Sequence, residues 1–166
     1  MKFKYSVNSD KSRKERADRG QYAQGKVQDF LKSVARRNAV VDWERIYDAR
    51  SSGGKIPKRP GDYAVFAPKH HIWIEVKQTA HNSRITKQSL TQIPKLTIRE
   101  LAGGTIIILV YHSTTKLWRA PQFSIFRDCP AVPSWDLSDL PTFDTVEGAI
   151  RQAARDTDTS HIWRLQ

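Results

Sequence analysis

With 166 residues, 39% of them hydrophobic, the chain can fold as one domain around its own core, and wholesale disorder is excluded. Its longest apolar run, residues 106–111, is strand-sized and far short of the ~18 residues of a membrane span. The single cysteine, Cys129, excludes an internal disulfide and a cysteine zinc cluster. The basic, polar N-terminus does not read as a secretory signal, so the expected location is intracellular. Lys and Arg number 28 against 17 acids, a net of +11. Residues 1–60 carry 16 basic and 7 acidic side chains and residues 61–127 carry 9 and 3, whereas residues 128–158 carry 2 and 7. A basic first three-quarters points to a polyanionic partner, most plausibly nucleic acid; the plainer reading is a solvated basic surface.

Residues 1–20 read as a basic, flexible arm without apolar period, and residues 21–166 as a single domain. Over residues 21–37, Tyr22 or Ala23, Val27, Phe30, Leu31 and Val34 recur at helical spacing, and Arg36 and Arg37 supply cations at the C-terminal end. Residues 39–47 suit a short strand. Residues 50–60, with glycine, serine, proline and four cations, suit a loop. Two short apolar runs, 62–67 and 72–78, are joined by Pro68-Lys69-His70-His71 and predict a hairpin. In residues 83–102, Leu90, Ile93, Leu96 (or Thr97) and Leu101 repeat near 3.6; Pro94 marks a kink or a helix start, and Gly103-Gly104 a C-cap. Residues 105–112 form a β-branched run that predicts a strand covered on both faces. Short strands are expected at 117–120, 123–126 and 160–165, a loop at 130–141, and a helix at 145–155 capped by Thr145. The sum is an α/β fold with a central mixed sheet flanked by helices.

The chemistry lies in the hairpin. Alternation along the second strand sends Ile72, Ile74 and Val76 to one face and Trp73, Glu75 and Lys77 to the other. A carboxylate and an ammonium thus sit side by side in a segment too apolar for ordinary surface, and burying them costs several kcal/mol per ion without compensation. Asp62 opens the preceding strand, and a hairpin brings it near Glu75. Two neighbouring carboxylates favour a divalent cation between them, and Mg²⁺ needs only one or two. The plainer reading of Glu75 and Lys77 is a surface pair worth ~0–1 kcal/mol.

Pro60-Gly61-Asp62, twelve residues, then Glu75-Val76-Lys77 resembles the PD-(D/E)xK nuclease superfamily, and more narrowly its RecU-like and phage Holliday-junction resolvases. Gln92, Leu101-Ala102-Gly103-Gly104 and the apolar strand after them resemble the branch's continuation. The likeness spans residues 20–112. It implies a restriction-endonuclease-like core and a Mg²⁺-dependent endonuclease, with Mn²⁺ as a substitute, acting on branched DNA as a homodimer. It also implies metal binding by Asp62, Glu75 and the Val76 carbonyl, Lys77 acting on the attacking water, and a 5′-phosphate product. Many members carry a glutamate on the first helix, where this chain has Gln24, with Gln28 one turn later. Either Gln24 coordinates through a neutral carbonyl, or metal binding is weaker, or the chain binds DNA without cutting it. Asp29 suits that slot less well.

Gln24 and Gln92 are therefore candidate site supports, and Arg19, Lys55, Lys58 and Arg59 candidate DNA contacts. The five histidines read more simply as solvent-facing or hydrogen-bonding groups, with His81 a candidate phosphate contact. Trp73 suits packing beneath the site or stacking on a base. Ser52-Gly53-Gly54-Lys55 lacks the P-loop pattern.

Overall fold

The computed structural model describes residues 8–47 and 61–163, with residues 8–20 as backbone alone. The loop carrying Lys55, Lys58 and Arg59 and the side chain of Arg19 lie outside the described residues. Helix α1 (Asn8–Arg37) begins thirteen residues upstream of the predicted start. Its apolar stripe from Ala23 through Val27, Phe30 and Leu31 to Val34 is buried, whereas Tyr22 is half exposed and rests on Tyr111.

Strands β1 (Asp42–Arg45), β2 (Tyr63–Ala67), β3 (His70–Thr79), β5 (Thr105–His112) and β6 (Leu117–Arg119) form one sheet in the order β1-β2-β3-β5-β6. Only the β3–β5 pairing is parallel; the others are antiparallel, so the sheet is mixed as expected. The β3–β5 crossover contains β4 (Arg84–Thr86), a 3₁₀ turn and helix α2 (Ile93–Leu101). Pro94 lies in the first turn of α2, where a missing N–H costs nothing. Gly103, at φ +87°, ends the helix as a left-handed cap, its N–H bonding Glu100 O at 2.9 Å.

Alternation in β5 divides the core. Ile107, Leu109 and Tyr111 pack with Ile72, Ile74, Val76 and the buried faces of α1 and α4 (Val146–Asp156). Ile106, Ile108 and Val110 pack on the other side with Leu90, Ile93 and Leu96 and with α3 (Phe123–Asp128). Helices therefore cover both faces, and this is why β5 reads as an unbroken apolar run. Thr145 caps α4, its Oγ1 accepting from Gly148 N at 3.1 Å. Among the described residues no helix is long and apolar enough to cross a membrane.

Several local expectations are corrected. His70 and His71 belong to β3, because Pro68-Lys69 alone makes the turn, with Lys69 at φ 66°. Residues 123–126 form the start of α3 instead of a strand, anchored by buried Phe123 and Phe126. The proline-rich stretch contains β7 (Ser134–Asp136), which pairs with the unpredicted β4 as a separate two-stranded sheet. Residues 160–163 are turns, not strand, and Leu101 is exposed.

His112, at the end of β5, is fully buried. Its Nδ1 lies 2.6 Å from His81 O, and since a carbonyl only accepts, Nδ1 carries the proton. Burial, and to a lesser degree the Arg119 charge, hold the imidazole below its ordinary pKa, against the pull of the His81 carbonyl. An unfolded histidine takes up a proton below about pH 6.5 and this one resists, so its contribution to stability is present above that pH and lost as pH falls. His112→Asn is expected to flatten the pH dependence of the unfolding free energy between about pH 7.5 and 5.5, followed by urea denaturation; an unchanged slope contradicts the assignment.

Candidate active site

The hairpin register ends with Tyr63 opposite Ile74, and Asp62 lies just before β2. Asp62 N donates to Ile74 O at 2.8 Å, which anchors it beside β3 at the residue before Glu75. Lys77, two residues along β3, lies on the same face, with Nζ 2.5 Å from Glu75 Oε1. Glu75 is 0% exposed, and the Lys77 side chain 22%. The ion pair is thus buried at one end and reachable from solvent at the other. Glu75 and Lys77 are brought together, and Asp62 is held on the amide of Val76, the residue between them.

Three connections fix Asp62. Its carbonyl accepts from Ile46 N at 2.8 Å, Oδ2 accepts from Val76 N at 2.7 Å, and Oδ1 accepts from Gln24 Nε2 at 2.9 Å. Upstream, Gly61 adopts φ +81°, and an added Cβ would meet Ile74 O at 3.3 Å. Gln92, at the N-cap of α2, accepts from Gly61 N through Oε1 at 2.9 Å. It supports the turn that delivers Asp62 and makes its bond to the backbone of that turn.

Gln24 sits where the first helix meets the site. Its Oε1 accepts from Arg45 at 3.1 Å, and its Nε2 faces Asp62. Arginine can only donate and a carboxylate only accept, so the amide has one consistent orientation. Its carbonyl oxygen is engaged by Arg45. Tyr63 holds the same helix turn, its hydroxyl donating to Gln24 O at 2.7 Å; burial is the main cause pushing its pKa up to about 12. Asp29 is exposed, 3.9 Å from Lys32.

In a strand, a residue's N–H and C=O point to the same edge. Val76 N faces Asp62, so the Val76 carbonyl faces that edge too, beyond the point where β2 ends. A groove of about 630 Å³ opens along it, lined by Gln24, Val76, Lys77, Ala80, His81 and Ser113 among others. Trp73 is not at this groove: it packs under Gly104 and beneath the Arg99 guanidinium, 4.4 Å from its ring centroid.

The donor set suits a hard cation. Two carboxylates and a backbone carbonyl are all oxygen, and each carboxylate oxygen has two lone pairs, so one hydrogen bond does not exhaust it. Among the described residues no group of three or more His, Cys, Asp or Glu side chains is placed to hold a metal ion.

No protein-family model matches the chain, and no curated protein is similar to it in sequence. A solved structure is similar in fold: Hjc of Archaeoglobus fulgidus, a Holliday junction resolvase from an archaeal hyperthermophile, determined at 1.6 Å resolution. The TM-score is 0.51 at 14% identity, covering 82% of this chain and 98% of that one. The likeness is one of fold. The five-stranded mixed sheet flanked by helices is thus the architecture of a known resolvase.

Gly61 and Gly25 offer a matched test of how Asp62 is delivered. Gly61→Ala is expected to destabilise the protein by about 1 kcal/mol or more, because alanine tolerates positive φ poorly. Gly25→Ala, within α1 and with nothing inside 4 Å of the added carbon, is expected to stabilise it by up to about 1 kcal/mol. Denaturant unfolding of both variants checks the opposite signs.

Proposed function

We propose that this chain is a metal-dependent endodeoxyribonuclease of the PD-(D/E)xK kind, and most specifically a Holliday-junction resolvase. The observation that carries the reading is the Glu75–Lys77 pair at the groove, with the Asp62 carboxylate held on the Val76 amide between them in sequence. The basic composition and the fold shared with the archaeal resolvase support DNA as the substrate.

Asp62, Glu75 and the Val76 carbonyl would hold the cation, Mg²⁺ or Mn²⁺. When bound, the cation supplies Lewis-acid stabilisation of the charge that builds on the phosphoryl oxygens. Lys77 orients the attacking water through its ammonium, which Glu75 holds in place. Gln24 and the Val76 amide keep the Asp62 carboxylate turned toward the edge, and Gln92 fixes the turn before it. The water oxygen bonds to phosphorus and releases a proton to solvent, the bond to the 3′ oxygen breaks, and the 3′ oxygen takes a proton from solvent. The products are a 5′-phosphate and a 3′-hydroxyl. Cutting a four-way junction symmetrically takes two such sites, so the proposal includes a twofold homodimer.

Gln24 favours a second reading, a DNA-binding protein that does not cut, because a neutral amide fills the slot where many relatives carry a ligand. Incubating labelled junction, flap, single-stranded and linear duplex DNA with Mg²⁺, Mn²⁺ or EDTA separates the two. The nuclease reading predicts divalent-dependent cleavage with preference for the junction. Lys77→Ala is expected to lower the cleavage rate by about 10²-fold, the scale of misplacing an attacking group, while DNA binding persists. Binding with steep salt dependence but no metal-dependent product would instead establish the binding reading.

A further inference from the structure

Beyond Lys77, β3 runs into residues 79–83, whose carbonyls are captured one after another. Thr79 O accepts from Ser113 N at 2.9 Å and Ser113 Oγ at 3.2 Å, and Ala80 O from Thr114 Oγ1 at 2.6 Å. His81 O accepts from His112 Nδ1 at 2.6 Å, and Asn82 O from Arg119 at 2.7 Å. Ser83 O accepts from Leu137 N at 2.7 Å. Two of these donors, His112 and Arg119, are buried, and among the described residues His112 Nε2 and Arg119 Nε have no hydrogen-bond partner.

The consequence follows from the planar trans peptide, in which each C=O points opposite to the N–H of the next residue. With the carbonyls of residues 79–82 turned toward β5 and β6, the amides of residues 80–83 turn away. The His81 amide bonds the Thr79 hydroxyl at 3.1 Å. Ala80 and His81 line the same groove as Lys77, and His81 is exposed. The Ala80 amide, opposite the captured Thr79 carbonyl, therefore leaves β3 on its free edge, and the exposed His81 lies beside it on the groove. A backbone N–H and an imidazole facing one groove are donors suited to an anionic oxygen.

We propose that residues 80 and 81 form a phosphate-binding ledge for the DNA strand adjoining the scissile bond. The Ala80 amide and the His81 imidazole are its contacts. Thr114 and His112 are positioning residues that hold the ledge by its carbonyls, and Arg119 holds the next carbonyl along. The inference rests on the nuclease reading, because it takes a DNA phosphodiester as the ligand.

The test measures binding without divalent cation, so it does not depend on cleavage. A fluorescent four-way junction is prepared as a series in which single phosphates around the branch are replaced, one at a time, by neutral methylphosphonate. The parent, Thr114→Val and His81→Ala are titrated with each. Thr114 and His81 are exposed, and neither substitution alters the core. The parent is expected to lose about tenfold in affinity at one particular phosphate, the worth of a hydrogen bond to a charged group. Both variants are expected to bind the unmodified junction about that much more weakly and to show no further loss at that phosphate. If both variants keep the parent's sensitivity at every phosphate, the ledge is overturned and the nuclease reading stands. If the parent binds neither the junction nor linear duplex, the nuclease reading falls and takes the ledge with it.

Discussion

The site depends on a carboxylate kept out of water. Glu75 lies in the middle of the sheet with no exposure, on the β3 face that packs toward α2, and an isolated ion there would cost several kcal/mol. Lys77 neutralises it from the solvent side at 2.5 Å. A one-residue slip between β2 and β3 would take Asp62 away from Ile74 O and the Val76 amide, so the register of the hairpin is also the geometry of the site. That register is secured outside the strands, by the left-handed Gly61, by Gln92 on its amide and by Ile46 on the Asp62 carbonyl. Stability and chemistry share one constraint here.

The neutral Gln24 changes the balance of charge. A carboxylate in its place would stand within hydrogen-bond distance of Asp62 and repel it, unless a cation lay between them. The amide instead donates to Asp62 and accepts from Arg45, linking α1, β1 and the site in one chain of hydrogen bonds. Asp62 is thus oriented by neutral donors. Elsewhere the acids of residues 128–158 are in part paired locally: Asp128 with Arg127, Asp136 with Arg84 and Glu147 with Arg151. The excess positive charge is left to the remainder of the chain.

What the sequence made legible was what local periodicity controls. Alternation around Glu75 and the β-branched run of β5 reveal the two central strands, because each must present a complete apolar face to a helix layer. The Thr145 cap and the Pro94 start are equally local. The pairing of β4 with β7 was hidden because each has three residues, and only the partner makes either a strand. Residues 123–126 carry alternating apolar character that suits a strand, but burying Phe123 and Phe126 on one side selects a helical turn. The roles of Gln92 and Arg119 depend on contacts 31 and 37 residues distant, which no local pattern encodes.

Cation binding at the hairpin is the central claim, and titration with Mn²⁺, read by its electron paramagnetic resonance signal, tests it without recourse to DNA or turnover. The account predicts that the parent protein takes up Mn²⁺ at a site competed by Mg²⁺, and that Asp62→Asn and Glu75→Gln, still folded by circular dichroism, each lose it. Equal uptake by all three proteins would contradict the account and remove the two carboxylates from the chemistry.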